Sequence, residues 1–167
     1  RVAESGNGWS RPDQSDDLIH LSRRTKLIIR VHKDAYQDLL QLEGRTLNIG
    51  DQSLIIGKCK VRKLSRLTTI FSHGIACDED QSENEFLTTV VHELEQQRIF
   101  VKKMICGSSR LIKTNGVPLF TRSLMIANLT PEDSVLLQQQ GLGTDRLLGC
   151  GIFVPHKGIE AVYSKPE

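Results

Sequence analysis

Gly141-Leu142-Gly143-Thr144-Asp145-Arg146-Leu147-Leu148-Gly149-Cys150-Gly151-Ile152-Phe153 holds two G-x-G pairs separated by five residues. Ahead of it, Thr130-Pro131 offers an N-cap and a proline at the first helical position, which predicts a short helix ending at Gly141. Behind it, Gly151-Ile152-Phe153-Val154 is the last apolar strand. A dinucleotide fingerprint needs the opposite order, strand then helix, and a third glycine where Arg146 stands. A P-loop ends on Lys-Ser or Lys-Thr, and this loop does not. What remains is a glycine-rich connection from helix to strand. Its glycines permit positive φ and let backbone approach another surface, such as a phosphate chain. Arg146 in its centre adds charge-assisted hydrogen bonds. A tight connector packed on its own sheet suits the same residues.

Upstream, Leu119 to about Leu129 reads as a strand, and Gly107 to Gly116 as the polar, basic end of a hairpin with Ser108, Ser109, Arg110 and Lys113. Ile99 to Cys106 is the strand before it. Ser82 and Glu85 form a capping-box pair, and Phe86, Leu87, Val90, Val91 and Leu94 make one helical stripe. Leu67 to Cys77 is a strand, joined to that helix by the acidic linker Asp78-Glu79-Asp80. The order is strand, helix, strand, strand, helix, strand, which is the ferredoxin-like split βαβ.

The first block is sparser. Leu18 to Val31 reads as a long extended strand. Ala35, Tyr36, Leu39, Leu40 and Leu42 fit one helix face, with Gly44 as a left-handed cap. Leu47-Asn48-Ile49 alternates like a strand, Gly50-Asp51 turns, and a strand from Ser53 to about Lys63 follows. In it Lys58, Lys60 and Arg62 would share one face. Such a face suits an anion, and equally an edge strand guarded by cations. The fold class expected is therefore α+β, with tandem ferredoxin-like (RRM-like, βαββαβ) domains, 1–66 incomplete and 67–167 carrying the glycine-rich loop at 141–151.

With 167 residues, 38% of them hydrophobic and 25% charged, the chain reads as globular rather than collagenous, disordered or a disulfide scaffold. No apolar run approaches the roughly 18 residues of a membrane helix. Cys59, Cys77, Cys106 and Cys150 lie far apart with no C-x-x-C pair, so reduced thiols are expected and a structural zinc site is not. A reducing, cytoplasmic setting follows. The net charge of +2 is uneven. Residues 1–75 carry 13 cations and 8 anions, residues 76–100 carry 1 and 7, and residues 101–167 carry 8 and 5. That is a basic chain with an acidic insert, compatible with nucleic acid.

The spacing glycine, apolar, glycine, five residues, glycine, apolar, glycine resembles the signature of the RAMP superfamily of CRISPR-associated proteins. Ser5-Gly6-Asn7-Gly8-Trp9, Leu21-Ser22-Arg23-Arg24-Thr25, Pro118-Leu119-Phe120-Thr121-Arg122-Ser123, and Gln138-Gln139-Gln140-Gly141 through Phe153-Val154-Pro155-His156-Lys157-Gly158 resemble one branch of it. That branch is the endoribonucleases that process CRISPR precursor RNA, in the small subfamily of MYXAN-type systems. The resemblance covers essentially the whole chain. Such relatives have two ferredoxin-like domains and begin with a strand and helix, and the first block is expected to lack both.

The resemblance implies metal-independent cleavage of repeat stem-loops to mature guide RNA, with no cofactor, in a prokaryotic cytoplasm. The ribose 2′-hydroxyl attacks the adjacent phosphate, leaving a cyclic phosphate and a free 5′-hydroxyl. The reaction needs a base, an acid and cations around the transition state. Histidine suits the first two roles. His20, in the strand carrying Arg23, Arg24 and Lys26, is the candidate. His92 reads as a surface residue, His73 as structural, and His156 as either an RNA contact or a strand end. Relatives often place the histidine in that first helix or the turn after it. The RNA-binding set expected is Arg23, Arg24, Lys26, Lys58, Lys60, Arg62, Arg110, Lys113, Arg122, Gly141, Gly143, Arg146, Gly149, Gly151 and Lys157. Aromatics are only 5% of the chain, so stacking on a sheet is expected to be minor and backbone recognition to lead. A relative can also hold the 3′ stem-loop without cutting, as a subunit of a surveillance complex. A ferredoxin-like small-molecule regulator is the third reading.

Overall fold

A computed structural model of the chain describes residues 26–50, 52–112 and 117–157. The chain divides into two compact units between Val61 and Arg62. His20, Arg23, Arg24 and Lys113 lie outside the described residues, as do Ser5-Gly6-Asn7-Gly8-Trp9.

In the first unit a 3-10 turn at Lys33–Ala35 leads into α1 (Tyr36–Leu40). Gly44 follows at φ +75°, where a side chain would be strained. β1 (Thr46–Ile49) and β2 (Gln52–Ile55) pair antiparallel around a turn at Gly50. Two expectations are corrected here. Residues 26–32 join no ladder, so the described part of the stretch 18–31 is not a strand. β2 stops at Ile55 instead of running to Lys63. Its partner is only four residues long, and the last ladder bonds run from Gly44 N–H to Ile56 O (2.9 Å) and from Ile56 N–H to Arg45 O (2.9 Å). Beyond Gly44 the partner turns back toward the helix, and an unpaired strand has nothing to hold it extended. Lys58, Lys60 and Arg62 therefore sit on an irregular stretch, all exposed, rather than along one face of a sheet.

The second unit contains β3 (Ile70–Cys77), α2 (Glu83–Gln96), β4 (Lys103–Ile112), β5 (Leu119–Ala127), α3 (Pro131–Gln140) and β6 (Phe153–Pro155). The sheet order is β4-β5-β3-β6, all antiparallel. This is the βαββαβ arrangement, with its first and third strands at the centre, and the fold is α+β. The α2 cap is the expected box: Glu85 N–H donates to Ser82 Oγ (3.3 Å), and Ser82 N–H donates to Glu85 Oε2 (2.8 Å). Phe86, Val90 and Leu94 then recur at helical spacing and are buried with Ile70, Leu124, Ile126, Leu137 and Phe153.

α3 buries a polar face. Ser134 Oγ donates to Leu67 O (2.6 Å) and Gln138 Nε2 donates to Ser65 O (2.7 Å), while Gln138 Oε1 accepts from Ser65 N–H (3.3 Å). A glutamine only 1% exposed meets its hydrogen-bonding demand by fastening the segment that leads into β3. β4 runs from Lys103 to Ile112, later and longer than the expected Ile99–Cys106. β5 supplies a partner over this length, and a bulge between Cys106 and Ser109 absorbs Gly107. A Cβ at Gly107 would meet Ser123 Oγ, so a side chain there requires the serine hydroxyl to turn away.

Candidate nucleic-acid interface

The glycine-rich loop is closed by its own backbone. Gly141 N–H donates to Leu137 O (2.8 Å) and ends α3. Leu142 N–H donates to Gly151 O (3.1 Å), and Gly151 N–H donates to Gly74 O (2.7 Å) in the β3 bulge. Gly143 N–H donates to Glu93 Oε2 (2.9 Å) on α2. Gly141, Gly143, Gly149 and Gly151 all have positive φ, as does Asp145. A Cβ on Gly141 would stand 2.6 Å from Gly151 O, and one on Gly151 would fall on Leu142 O. Gly141 and Gly151 are buried, and the close approach they permit is to each other's side of the loop. Gly143 is half-buried, and Gly149 is exposed with open space around it.

The loop thus clamps Leu142 and Cys150 into the core and pushes the arc Thr144–Gly149 into solvent. The arc is a 3-10 turn, Arg146–Leu148, closed by Leu148 N–H to Asp145 O (2.9 Å) and Gly149 N–H to Arg146 O (3.0 Å). Arg146 is exposed, and its Nε would lie 3.5 Å from a Cβ at Gly141, so the guanidinium folds back over the mouth of the loop. Leu147 is 104% exposed. A cation held by a fixed backbone, with no acidic side chain hydrogen-bonded to it among the described residues, is suited to a phosphate.

The remaining expected residues are spread out. Lys26, Lys58, Lys60, Arg62, Arg110 and Lys157 are all exposed. Arg122 is different. It is half-buried on β5, donating from Nη1 to Gly107 O (3.1 Å) and from Nη2 to Gln81 O (2.8 Å). It braces the β4 bulge against the turn before α2, and its Nε is buried without a partner among the described residues.

Of the described histidines, His92 is exposed on α2 within 3.4 Å of Gln96 Nε2, and His32 pairs with Asp34 (3.0 Å) in the open. His73 and His156 both approach Phe71, with ring centroids 4.9 Å and 6.0 Å away. Sequence reasoning missed this cluster. Phe71 and His73 are two apart in a strand, a period that carries the signal, but His156 joins them only through the β3–β6 pairing.

Desolvation raises the Cys77, Cys106 and Cys150 thiols above the ordinary cysteine value, which keeps them protonated. No disulfide joins the described cysteines, and no group of three His, Cys, Asp or Glu among the described residues is placed to hold a metal ion. No helix among the described residues is long and apolar enough to cross a membrane.

Compared with known proteins, residues 1–158 match the family model described as Cas6 Crispr. A CRISPR-associated endonuclease Cas6 from Myxococcus xanthus (strain DK1622) is 26% identical over 139 residues, covering 83% of this chain. The match spans 60% of that relative's length.

Proposed function

Because this chain belongs to the Cas6 family, we propose that it binds the stem-loop of CRISPR repeat RNA and cuts precursor RNA to mature guide RNA. The observation that carries the binding half is the glycine-closed loop of the βαββαβ unit, which holds Arg146 in solvent on a rigid turn. The backbone that carries Arg146 is fixed in advance, its planar guanidinium loses less freedom per hydrogen bond than an ammonium does, and an A-form stem is read mainly through its backbone. Lys58, Lys60, Arg62, Arg110 and Lys157 add exposed positive charge. Arg23, Arg24 and Lys113 belong to the same proposed set, as does Arg122 through its brace on the hairpin.

In the cutting step the 2′-oxygen forms a bond to phosphorus and gives its proton to a base. The bond from phosphorus to the 5′-oxygen breaks, and that oxygen takes a proton. His20 is the proposed base. The experiment is incubation of the full chain with repeat RNA in the presence of a metal chelator. The expected products end in a 2′,3′-cyclic phosphate and a 5′-hydroxyl, and a 2′-deoxy nucleotide before the scissile phosphate blocks them. His20→Ala should slow the cut by about a hundredfold or more while RNA stays bound. RNA that is bound but left intact would assign the chain the holding role alone, and no binding would overturn the reading.

A further inference from the structure

We propose that the sheet face of the second unit turned away from α2 and α3 receives an unpaired base of single-stranded RNA beside the stem, stacked at Phe71 between His73 and His156. The proposal rests on the RNA-processing reading and extends it to a second kind of contact.

The sheet has two unlike faces. Ile70, Ser72, Leu124, Ile126 and Phe153 point to the helices and are fully buried. Their neighbours point the other way. The register sets Ile105 opposite Met125, Met125 opposite Phe71, and Phe71 opposite Val154. These four form one apolar row across all four strands, with Ile105 50% and Val154 36% exposed and Phe71 and Met125 half-buried. His73 meets Phe71 edge to face at 87°, and His156 lies tilted at 48°. Three flat rings on one open surface are a stacking site, since every base has a π-face.

Charge selects the occupant. None of β3, β4, β5 or β6 contains an aspartate or glutamate. Lys103 shares the Ile105 side of β4, and Arg110 stands opposite Thr121, which shares its side of β5 with Met125. Both cations are exposed. An apolar and aromatic strip with cations and no carboxylates fits a polyanion that carries rings. Four-stranded sheets of RRM type stack bases on their aromatic side chains, so the chemistry proposed here has a general precedent.

The test uses the full chain with two RNAs, the repeat hairpin alone and the same hairpin with a single-stranded extension containing 2-aminopurine. The extended RNA should bind more tightly, and its 2-aminopurine fluorescence should be quenched. Phe71→Leu keeps apolar bulk and removes the ring. It should abolish the quench and weaken the extended RNA about tenfold, with the bare hairpin unchanged. Phe71→Trp should restore both. Equal affinity of the wild type for the two RNAs, or an undiminished quench in Phe71→Leu, would overturn the proposal while leaving hairpin recognition standing. If neither RNA binds, the RNA reading itself falls.

Discussion

Gly151 and Gly149 separate two reasons for a glycine. At φ +65°, Gly151 has Leu142 O where a Cβ would go; at φ +90°, Gly149 has nothing within 4 Å. Gly149→Ala bears only the left-handed backbone cost, roughly 1–2 kcal/mol. Gly151→Ala bears that and must also break the Leu142–Gly151 closure or move the chain. It should destabilise by clearly more, about 3 kcal/mol or above. Urea unfolding of the two variants checks the order, and equal losses would mean that the loop is slack. The spacing of these glycines was plain in the sequence, and so was the positive φ they permit. Which surface they approach was not, because the meeting of Gly141 with Gly151 depends on where α3 and β6 dock. Arg122 shows the same limit. Its place in the family-like stretch 118–123 suggested an RNA contact, and what that stretch did not show is that two of the guanidinium nitrogens serve carbonyls at Gly107 and Gln81. Arg122→Met leaves both carbonyls without a donor and should cost about 2–3 kcal/mol, read as a fall in the midpoint of urea unfolding.

Among elements, those whose bounds are set by local chemistry were legible and those set by a partner were not. Ser82 and Glu85 announce the start of α2, and Thr130-Pro131 announces α3; both caps form as read. The ends of β2 and β4 depend on how far β1 and β5 run beside them, and alternation alone over-extended the one and misplaced the other. The α2 cap gives a pH-dependent prediction. The Ser82 hydroxyl and the Ser82 backbone N–H, in that order, hold the Glu85 carboxyl below the usual carboxylate range. A group depressed in the folded state stabilises above its unfolded pKa, and that contribution is lost as pH falls through the folded value. Ser82→Ala should cost about 1 kcal/mol at neutral pH. The gap between variant and wild type should narrow as acid protonates the carboxyl, at a lower pH than for an ordinary glutamate. A gap that is constant from neutral to acid pH would show that the carboxylate plays no part in the cap.

For the molecule as a whole, the uneven charge matters more than the net +2. The acidic stretch 76–100 is used partly inside the fold, since Glu93 accepts from Gly143 N–H and Glu85 caps α2. The four strands of the second unit carry no acid, and the segment after β2 carries Lys58, Lys60 and Arg62 in the open. The proposed RNA binding by these cations would be driven by release of counterions, so log Kobs should fall steeply and linearly with log salt. Each phosphate contact removed should lower the slope by about 0.7–0.9. Lys58, Lys60 and Arg62 lie on irregular backbone, free of the strand geometry that would have forced all three toward one groove. If each finds its own phosphate, changing all three to alanine lowers the slope by about 2–3 and weakens hairpins of different sequence alike. Filter binding of two unrelated hairpins from low to moderate salt measures both effects. An unchanged slope would remove these cations from the interface, and a loss confined to one sequence would mean that they read bases instead of backbone.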